Sequence, residues 1–306
     1  MNSLVSVCVV TYNSAATIVD TLESIKAQTY QNLELVVSDD CSKDDTVKVC
    51  REWIAANKDR FAAATVIESE VNTGVSANCN RGFSYAKGGW IKVIAGDDTL
   101  MEDCVRINMD YVDRNPSVDI LFSRIHAFGE AEKLTRYESR FKYGYFYMSP
   151  KSFKYRLLTG NFLPAPTAFI RKSSYLALGG FDESVPHIED WPFWIKASFN
   201  DCRIDFINKV TVNYRMAETS SSMSTRKSVF FINSMLQAKK YADTFLRKTS
   251  FLLWIYIRCV YDGDNKFLKL ISYIIRLFNP VLYYLKYNEY KADRITKNII
   301  ASADGR

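Results

Sequence analysis

Two pairs of adjacent carboxylates carry the chemistry in this sequence: Asp97-Asp98 within VIAGDD and Glu189-Asp190 within HIEDWPFW. Neighbouring aspartates at the end of an apolar run repel each other and lose solvation unless a positive charge compensates them. A hard cation, Mg²⁺ or Mn²⁺, is the natural compensation, because it takes a few carboxylate oxygens and completes its shell with phosphate oxygens and water. Helix capping explains the same residues without a ligand, with Asp97 or Asp98 serving a helix that begins near Met101. Glu189-Asp190 precedes Trp191, Phe193 and Trp194, so it stands near a helix N-terminus and beside an aromatic patch. There too the alternative is capping, with Asp190 as the N-cap.

A third acidic pair, Asp39-Asp40, follows the run LELVVS. Asp40 can accept from the imide N–H of a uracil, and Thr11 and Tyr12 can flank a base or ribose. An N-cap before Asp44 accounts for one of these two carboxylates and leaves the other without a role.

The elements that position these groups are legible as an alternation. Leu4 to Thr11 is a valine-rich run closed by Asn13 and Ser14, and Ile18, Leu22 and Ile25 follow at helical spacing. The pattern repeats as strand 33–38, helix 44–56, strand 64–68, helix 75–86 and strand 90–95, each strand apolar enough to be covered on both faces. Such alternation predicts an α/β fold, a mostly parallel sheet with helices on both faces. Ligands of these sheets bind beyond the carboxyl ends of the strands. Here those ends carry Thr11-Tyr12-Asn13, Asp39-Asp40, the segment to Asn72 and Gly74, and Gly96-Asp97-Asp98. After about residue 125 the pattern loosens into an aromatic, basic connection, then a short helix, a strand near 167–170 and a helix after Asp190, where Trp191, Trp194, Ile195 and Ser198 share a face. From about 225 onward the chain is helical and basic, so two regions are expected, 1–224 and 225–306.

With 306 residues the chain is long enough to build an enzyme cleft. Seven cysteines without a CxxC pair argue against a disulfide framework and a zinc site and for a reducing, cytoplasmic compartment. The N-terminal stretch lacks a basic n-region and is expected to be a buried strand, not a leader. His126 and His187 are expected to be structural.

The blocks TYN, VVSDDCSKDDT, NTGVSANCNRG, GGWIKVIAGDD, GGFDE and HIEDWPFWIKA, in this order, resemble family 2 glycosyltransferases, which have the GT-A fold, over residues 3 to 215. The resemblance implies that Thr11, Tyr12, Asn13, Asp40 and Asn72 line a nucleoside pocket, with Arg81 near a phosphate or the base. It places Asp97 and Asp98 in the diphosphate–metal motif, with Asp98 favoured as the ligand of Mn²⁺ or Mg²⁺. It puts the catalytic base at the ED pair, Asp190 ahead of Glu189. VNYRMAETSSS resembles the family's Tyr-Arg segment, making Arg215 a candidate for the diphosphate charge. Relatives often have a further aspartate where this chain has Ala95 and a histidine where it has Ala217, which leaves a leaner metal shell.

Together these features lead to an expected inverting transfer of a hexosyl unit from a UDP-sugar to a saccharide acceptor carried on a polyprenyl diphosphate, in O-antigen or capsule-type synthesis. A carboxylate takes the proton of the attacking hydroxyl while a cation meets charge on the departing diphosphate. A sugar-phosphate nucleotidyltransferase would need a glycine-rich basic loop where TYNSAAT stands. A non-catalytic sugar- or membrane-binding protein on the same scaffold is the other alternative. Residues 251–290 interleave Trp, Tyr, Phe, Leu and Ile with Arg258, Lys266, Lys269, Arg276 and Lys286, without about 20 uninterrupted apolar residues. Amphipathic helices on the inner face of the plasma membrane fit this pattern, against a plain helical subdomain. No nucleic-acid recognition motif accompanies the basic residues.

Overall fold

The computed structural model describes residues 3–129, 141–216, 233, 236–244 and 280–304. The chain divides into two compact units, the first formed by Met1–Phe141 with Pro164–Ser234 and the second by Lys142–Leu163 with Met235–Arg306.

The first unit contains an eight-stranded sheet flanked by helices. In chain order its elements are β1 (Val5–Thr11), α1 (Ile18–Lys26), β2 (Leu33–Asp39), α2 (Thr46–Asn57), β3 (Ala63–Glu68), α3 (Val75–Tyr85), β4 (Trp90–Ala95), β5 (Thr99–Leu100), α4 (Cys104–Arg114) and β6 (Ile120–Gly129). After residues 142–163, which include α5 (Pro150–Thr159) of the second unit, come β7 (Phe169–Arg171), α6 (Lys172–Ala177), α7 (Asp190–Phe199) and β8 (Ile204–Met216).

The strand order is β3-β2-β1-β4-β7-β6-β8-β5. β1 is parallel to both β2 and β4, β2 to β3, and β6 to β8, while β7 runs antiparallel between β4 and β6. β1 and β2 are almost wholly buried, which explains their uninterrupted apolar sequence. The predicted face of α1, Ile18, Leu22 and Ile25, is fully buried, as are Trp191, Trp194, Ile195 and Ser198 of α7. Because β2 and β3 lie on one side of β1 and β4 on the other, the sheet changes direction between β1 and β4, where an open α/β sheet forms a crevice.

Past residue 125, where the sequence pattern loosens, the chain continues as β6 to Gly129, paired along most of its length with β8 through two register irregularities. β8 also pairs antiparallel with β5, the two-residue strand that immediately follows Asp98. Both long strands are irregular and incompletely buried, so they lack the clean alternation that announces a strand.

The second unit contains α5 and α8 (Pro280–Asp304) with a 3-10 turn at Tyr143–Tyr147. Gly144 lets the turn approach α8 closely: its N–H donates to Thr296 Oγ1 at 2.7 Å, and a Cβ there would collide with the Ala292 carbonyl. The sequence division at 224 kept residues 142–163 with the first region; they instead pack with α8, far away in sequence. Of the aromatic stretch 251–290, residues 251–279 lie outside the described residues, and no helix among those described is long and apolar enough to cross a membrane.

Candidate active site

β4 delivers Gly96-Asp97-Asp98 to the end of the β1/β4 crevice, where Val10 and Ala95 are paired. Gly96 is required there, since a Cβ would lie 2.8 Å from Thr11 Cγ2, and its carbonyl accepts from Thr17 Oγ1 at 2.8 Å. The helix thought to start near Met101 starts at Cys104, flanked by Asp103, so neither Asp97 nor Asp98 caps it. Asp98 is 1% exposed. Its Oδ1 accepts from the Arg215 backbone N–H at 2.8 Å, and its carbonyl accepts from Thr21 Oγ1 at 2.7 Å. Its Oδ2 is buried with no hydrogen-bond partner.

Arg215, at the end of β8, closes this corner. Its Nε donates to the Asp97 carbonyl at 2.8 Å, and its terminal nitrogen pairs with Asp20 at 2.8 Å, with the guanidinium 4.8 Å from the Phe128 ring centre. The guanidinium is thus committed to shaping the acidic turn. Burial raises the Asp97 carboxyl above its usual range against the pull of Arg215. Asp98 is raised well above that range, by burial and then by Asp97, with the Arg215 N–H, Lys92 and the Arg215 charge opposing. Lys92 is itself fully buried and bonded to backbone carbonyls of Val93, Pro166 and Ala168, and burial lowers its ammonium to about 8. These protein cations leave Asp98 undercompensated.

The end of β2 is built differently. Asp39 accepts from Thr11 Oγ1 at 2.8 Å and from the Ser42 N–H and hydroxyl at 2.8 and 2.5 Å. It ties the two strand ends together without capping α2. Asp40 accepts from the Thr73 N–H and hydroxyl and from the Gly74 N–H, at 2.7–3.1 Å. Arg81 lies 3.6 Å from Asp40 and donates to Asn78 Oδ1 and Thr73 Oγ1. Of the residues expected to line a nucleoside pocket, Thr11 and Asp40 are therefore buried and internally bonded. Tyr12, Asn13 and Asn72 are exposed on the rim. Tyr12 shows 48% of its surface, and Asn13, at φ 51°, accepts from the Lys43 N–H.

α3 links this end of the crevice to the second acidic pair. Ser76 bonds through its hydroxyl and N–H to the Val185 and Pro186 carbonyls, and Asn80 holds Phe181 and Glu183. The loop so anchored leads to Glu189-Asp190. Glu189, Asp190 and Asp40 all act electrostatically on the buried Cys79 thiol of α3, raising it behind the larger effect of burial. Asp190 is the first residue of α7, and its Oδ1 accepts from the Trp191 N–H at 2.7 Å. Glu189 flanks the helix without a side-chain cap, and burial followed by repulsion from Asp190 pushes its carboxyl up to about 8.

Residues 6–178 match the model of "Glycosyl transferase family 2", more than half of the chain. The chain is a member of glycosyltransferase family 2. It is 27% identical over 196 residues to an uncharacterized glycosyltransferase of Haemophilus influenzae, covering 63% of this chain and 61% of that protein. Over 95 residues, 31% of this chain and 36% of the other, it is 35% identical to the Escherichia coli UDP-Glc:alpha-D-GlcNAc-diphosphoundecaprenol beta-1,3-glucosyltransferase WfaP. Among solved structures, S. aureus TarS 1-349 in complex with UDP-GlcNAc superposes with a TM-score of 0.61 at 19% identity, over 98% of this chain and 92% of that one. The mannosyltransferase PcManGT of Pyrobaculum calidifontis, in complex with GDP-Man and Mn²⁺, gives 0.54 at 16% identity, over 98% and 88%. At these identities the superpositions establish the GT-A fold alone. Family membership makes the protein a glycosyltransferase that uses a nucleotide-sugar donor.

For this family 2 glycosyltransferase, three residues of the corner carried no sequence signal: Asp20, Lys92 and the backbone amide of Arg215. The amide could not have been found, because it depends on β8 meeting β5. His126 is exposed on β6 and His187 lies in the loop before Ile188. Among the described residues no cluster of three or more His, Cys, Asp or Glu side chains gathers as a metal cage. Ala217 lies outside the described residues.

Proposed function

We propose that the protein transfers a hexosyl unit, with inversion, from a UDP-sugar to a saccharide carried on a polyprenyl diphosphate at the cytoplasmic face of the membrane, for a surface polysaccharide of O-antigen or capsule type. The donor assignment is supported by the UDP-GlcNAc complex of TarS, and the acceptor by the lipid-diphosphate substrate in the description of WfaP. The observation that carries the reading is Asp98: one oxygen fixed by a backbone N–H, the other buried without a partner, beside a second carboxylate. Mn²⁺ or Mg²⁺ would fit that donor set, and Asp98 and Asp97 would be the residues that hold it. When bound, the cation supplies charge stabilisation to the leaving diphosphate.

The remaining work belongs to side chains of the chain itself. Tyr12, Asn13 and Asn72 meet the nucleoside at the rim, over a floor shaped by Thr11 and Asp40. A uracil imide reaching Asp40 displaces one of the Thr73 or Gly74 donors. Arg81 and Arg215 hold the two walls of the crevice. Asp190 takes the proton of the attacking acceptor hydroxyl, and Glu189, holding its own proton at neutral pH, keeps the pair from being doubly charged.

The test is release of UDP from UDP-sugars by purified protein with a diphosphate-lipid acceptor, with and without chelator. Release that needs Mn²⁺ or Mg²⁺ and acceptor is expected; donor turnover indifferent to chelation sinks the metal assignment.

A further inference from the structure

We propose that the second unit is an anionic-membrane docking module whose contact face includes the exposed stripe of α8. The inference deepens the reading of a lipid-borne acceptor but rests on different residues and is tested without donor or acceptor.

The first observation is a division of charge between the units. Residues 142–163 and 235–306 hold 17 Lys and Arg against 6 Asp and Glu, a net +11, whereas the remaining residues hold 23 against 28, a net −5. The modest +6 of the whole chain conceals this polarity. A cytoplasmic leaflet rich in anionic lipid attracts clustered basic residues, and that attraction weakens within a Debye length.

The second observation is how α8 sorts its side chains. Ala292, Thr296 and Ile299 are buried. The two acidic residues of its middle, Glu289 and Asp293, are half-buried and spent within the unit. Glu289 accepts from the Tyr145 hydroxyl at 3.1 Å and lies 3.3 Å from Arg156, and Asp293 lies 3.4 Å from Lys142. Tyr287, Tyr290, Lys291, Arg294 and Lys297, at three- and four-residue spacing, are left exposed on one face. The tyrosines show 53% and 64% of their surface, and Lys291 Nζ lies 4.8 Å from the Tyr287 ring centre. Among the described side chains of this face there is no acid to pair with the cations.

Exposed tyrosines beside unpaired-by-acid cations suit the headgroup boundary, where an aromatic ring has one apolar and one wet end and cations meet lipid phosphate. Duplex nucleic acid would also answer to the charge, but its phosphate backbone offers no apolar phase to the exposed rings of Tyr287 and Tyr290.

Sedimentation of the full chain with vesicles of phosphatidylcholine, alone or mixed with phosphatidylglycerol, tests the proposal. Binding is expected only with the anionic lipid, and it should weaken with salt. The triple variant Lys291→Gln, Arg294→Gln, Lys297→Gln should bind on the order of a hundredfold more weakly, at roughly fivefold per cation. Tyr287→Ser with Tyr290→Ser should weaken binding with little change in salt dependence. Because all five side chains are exposed, thermal unfolding and UDP-sugar binding serve as controls for folding. Equal binding to both vesicles, binding to neither, an unaffected triple variant, or retention on duplex DNA in place of vesicles overturns the proposal. Loss of vesicle binding with transfer to a soluble acceptor intact separates this face from the catalytic reading.

Discussion

Two acidic pairs of the first unit, Asp97-Asp98 and Glu189-Asp190, are alike in sequence, and in each of them burial and the neighbouring acid raise a carboxyl; they differ in the positive groups around them. Asp97-Asp98 is surrounded by positive groups that stop short of satisfying it: Arg215 spends its side chain on the Asp97 carbonyl and on Asp20, and Lys92 spends its protons on backbone carbonyls. Only one oxygen of Asp98 is fixed, by an amide. At Glu189-Asp190, burial and then repulsion from Asp190 push the Glu189 carboxyl up to about 8, which favours a proton there at neutral pH. Two adjacent carboxylates in low dielectric have these two exits, a cation or a proton, and the surroundings decide which is taken. On the proposed reading, Asp97-Asp98 takes the cation and Glu189-Asp190 takes the proton.

The sharpest way to break the contrast is Asp98→Asn. It removes a charge that burial and Asp97 both oppose, so the protein without metal should unfold at a higher temperature, while transfer falls by roughly 10³ to 10⁴-fold because several kcal/mol of charge stabilisation are lost. A calorimetric scan with and without Mn²⁺ should show stabilisation by the ion in wild type and none in the variant. Unchanged Mn²⁺ stabilisation would move the site elsewhere. Asp190→Asn should act on the reaction without touching donor affinity, lowering kcat by roughly 10² to 10³-fold within the range of general-base catalysis. Substantial remaining transfer would give the role to Glu189.

What could be read in advance divides along the same line. The β1–β4 half was legible because β1, β2 and most of β4 are buried on both faces, β3 at the sheet edge being only partly covered, and because each turn carries its polar residues just past the strand. Asp97, Asp98, Tyr12 and Asn72 therefore emerged from pattern and resemblance together. The capping alternatives for Asp97 and Asp98 do not hold because α4 begins at Cys104, flanked by Asp103. Thr11, Arg81 and Arg215 were legible as polar groups near a site, but not as groups consumed in holding Asp39, Thr73 and Asp20. Such bonds join residues 8 to 195 positions apart, and no local periodicity records them. The recruitment of 142–163 into the second unit was hidden for the same reason: it depends on Gly144 meeting Ala292 and Thr296.

Glu189→Gln sharpens the other side of the comparison through pH. The folded-state pKa of Glu189, about 8, lies above the ordinary 4.5, so the folded protein binds more protons than the unfolded chain between those values. Its contribution is most favourable below pH 4.5 and is lost as pH rises toward 8, with stability falling over that window. Glutamine mimics the protonated form at every pH. The stability difference between Glu189→Gln and wild type should therefore grow from pH 5 to pH 8, reaching on the order of a few kcal/mol. Parallel unfolding curves for the two proteins across this range would show that Glu189 does not hold the proton.

Asp20→Asn asks the smallest question, whether the cationic surroundings of Asp98 depend on their outermost member. Asp20 is largely exposed and pairs with Arg215 at 2.8 Å, so the loss in stability should stay below about 1 kcal/mol. Arg215 keeps its bond to the Asp97 carbonyl and its backbone amide keeps Asp98 Oδ1, so UDP-sugar affinity should hold. What changes is the freedom of the guanidinium beside the acidic pair. Released from Asp20, it can swing toward the Asp97 and Asp98 carboxylates and compete for the place of the cation. The Mn²⁺ concentration for half-maximal transfer should then rise severalfold with kcat at saturating metal little changed. A fall in kcat at saturating Mn²⁺ would instead mean that the Asp20–Arg215 pair shapes the reacting geometry itself.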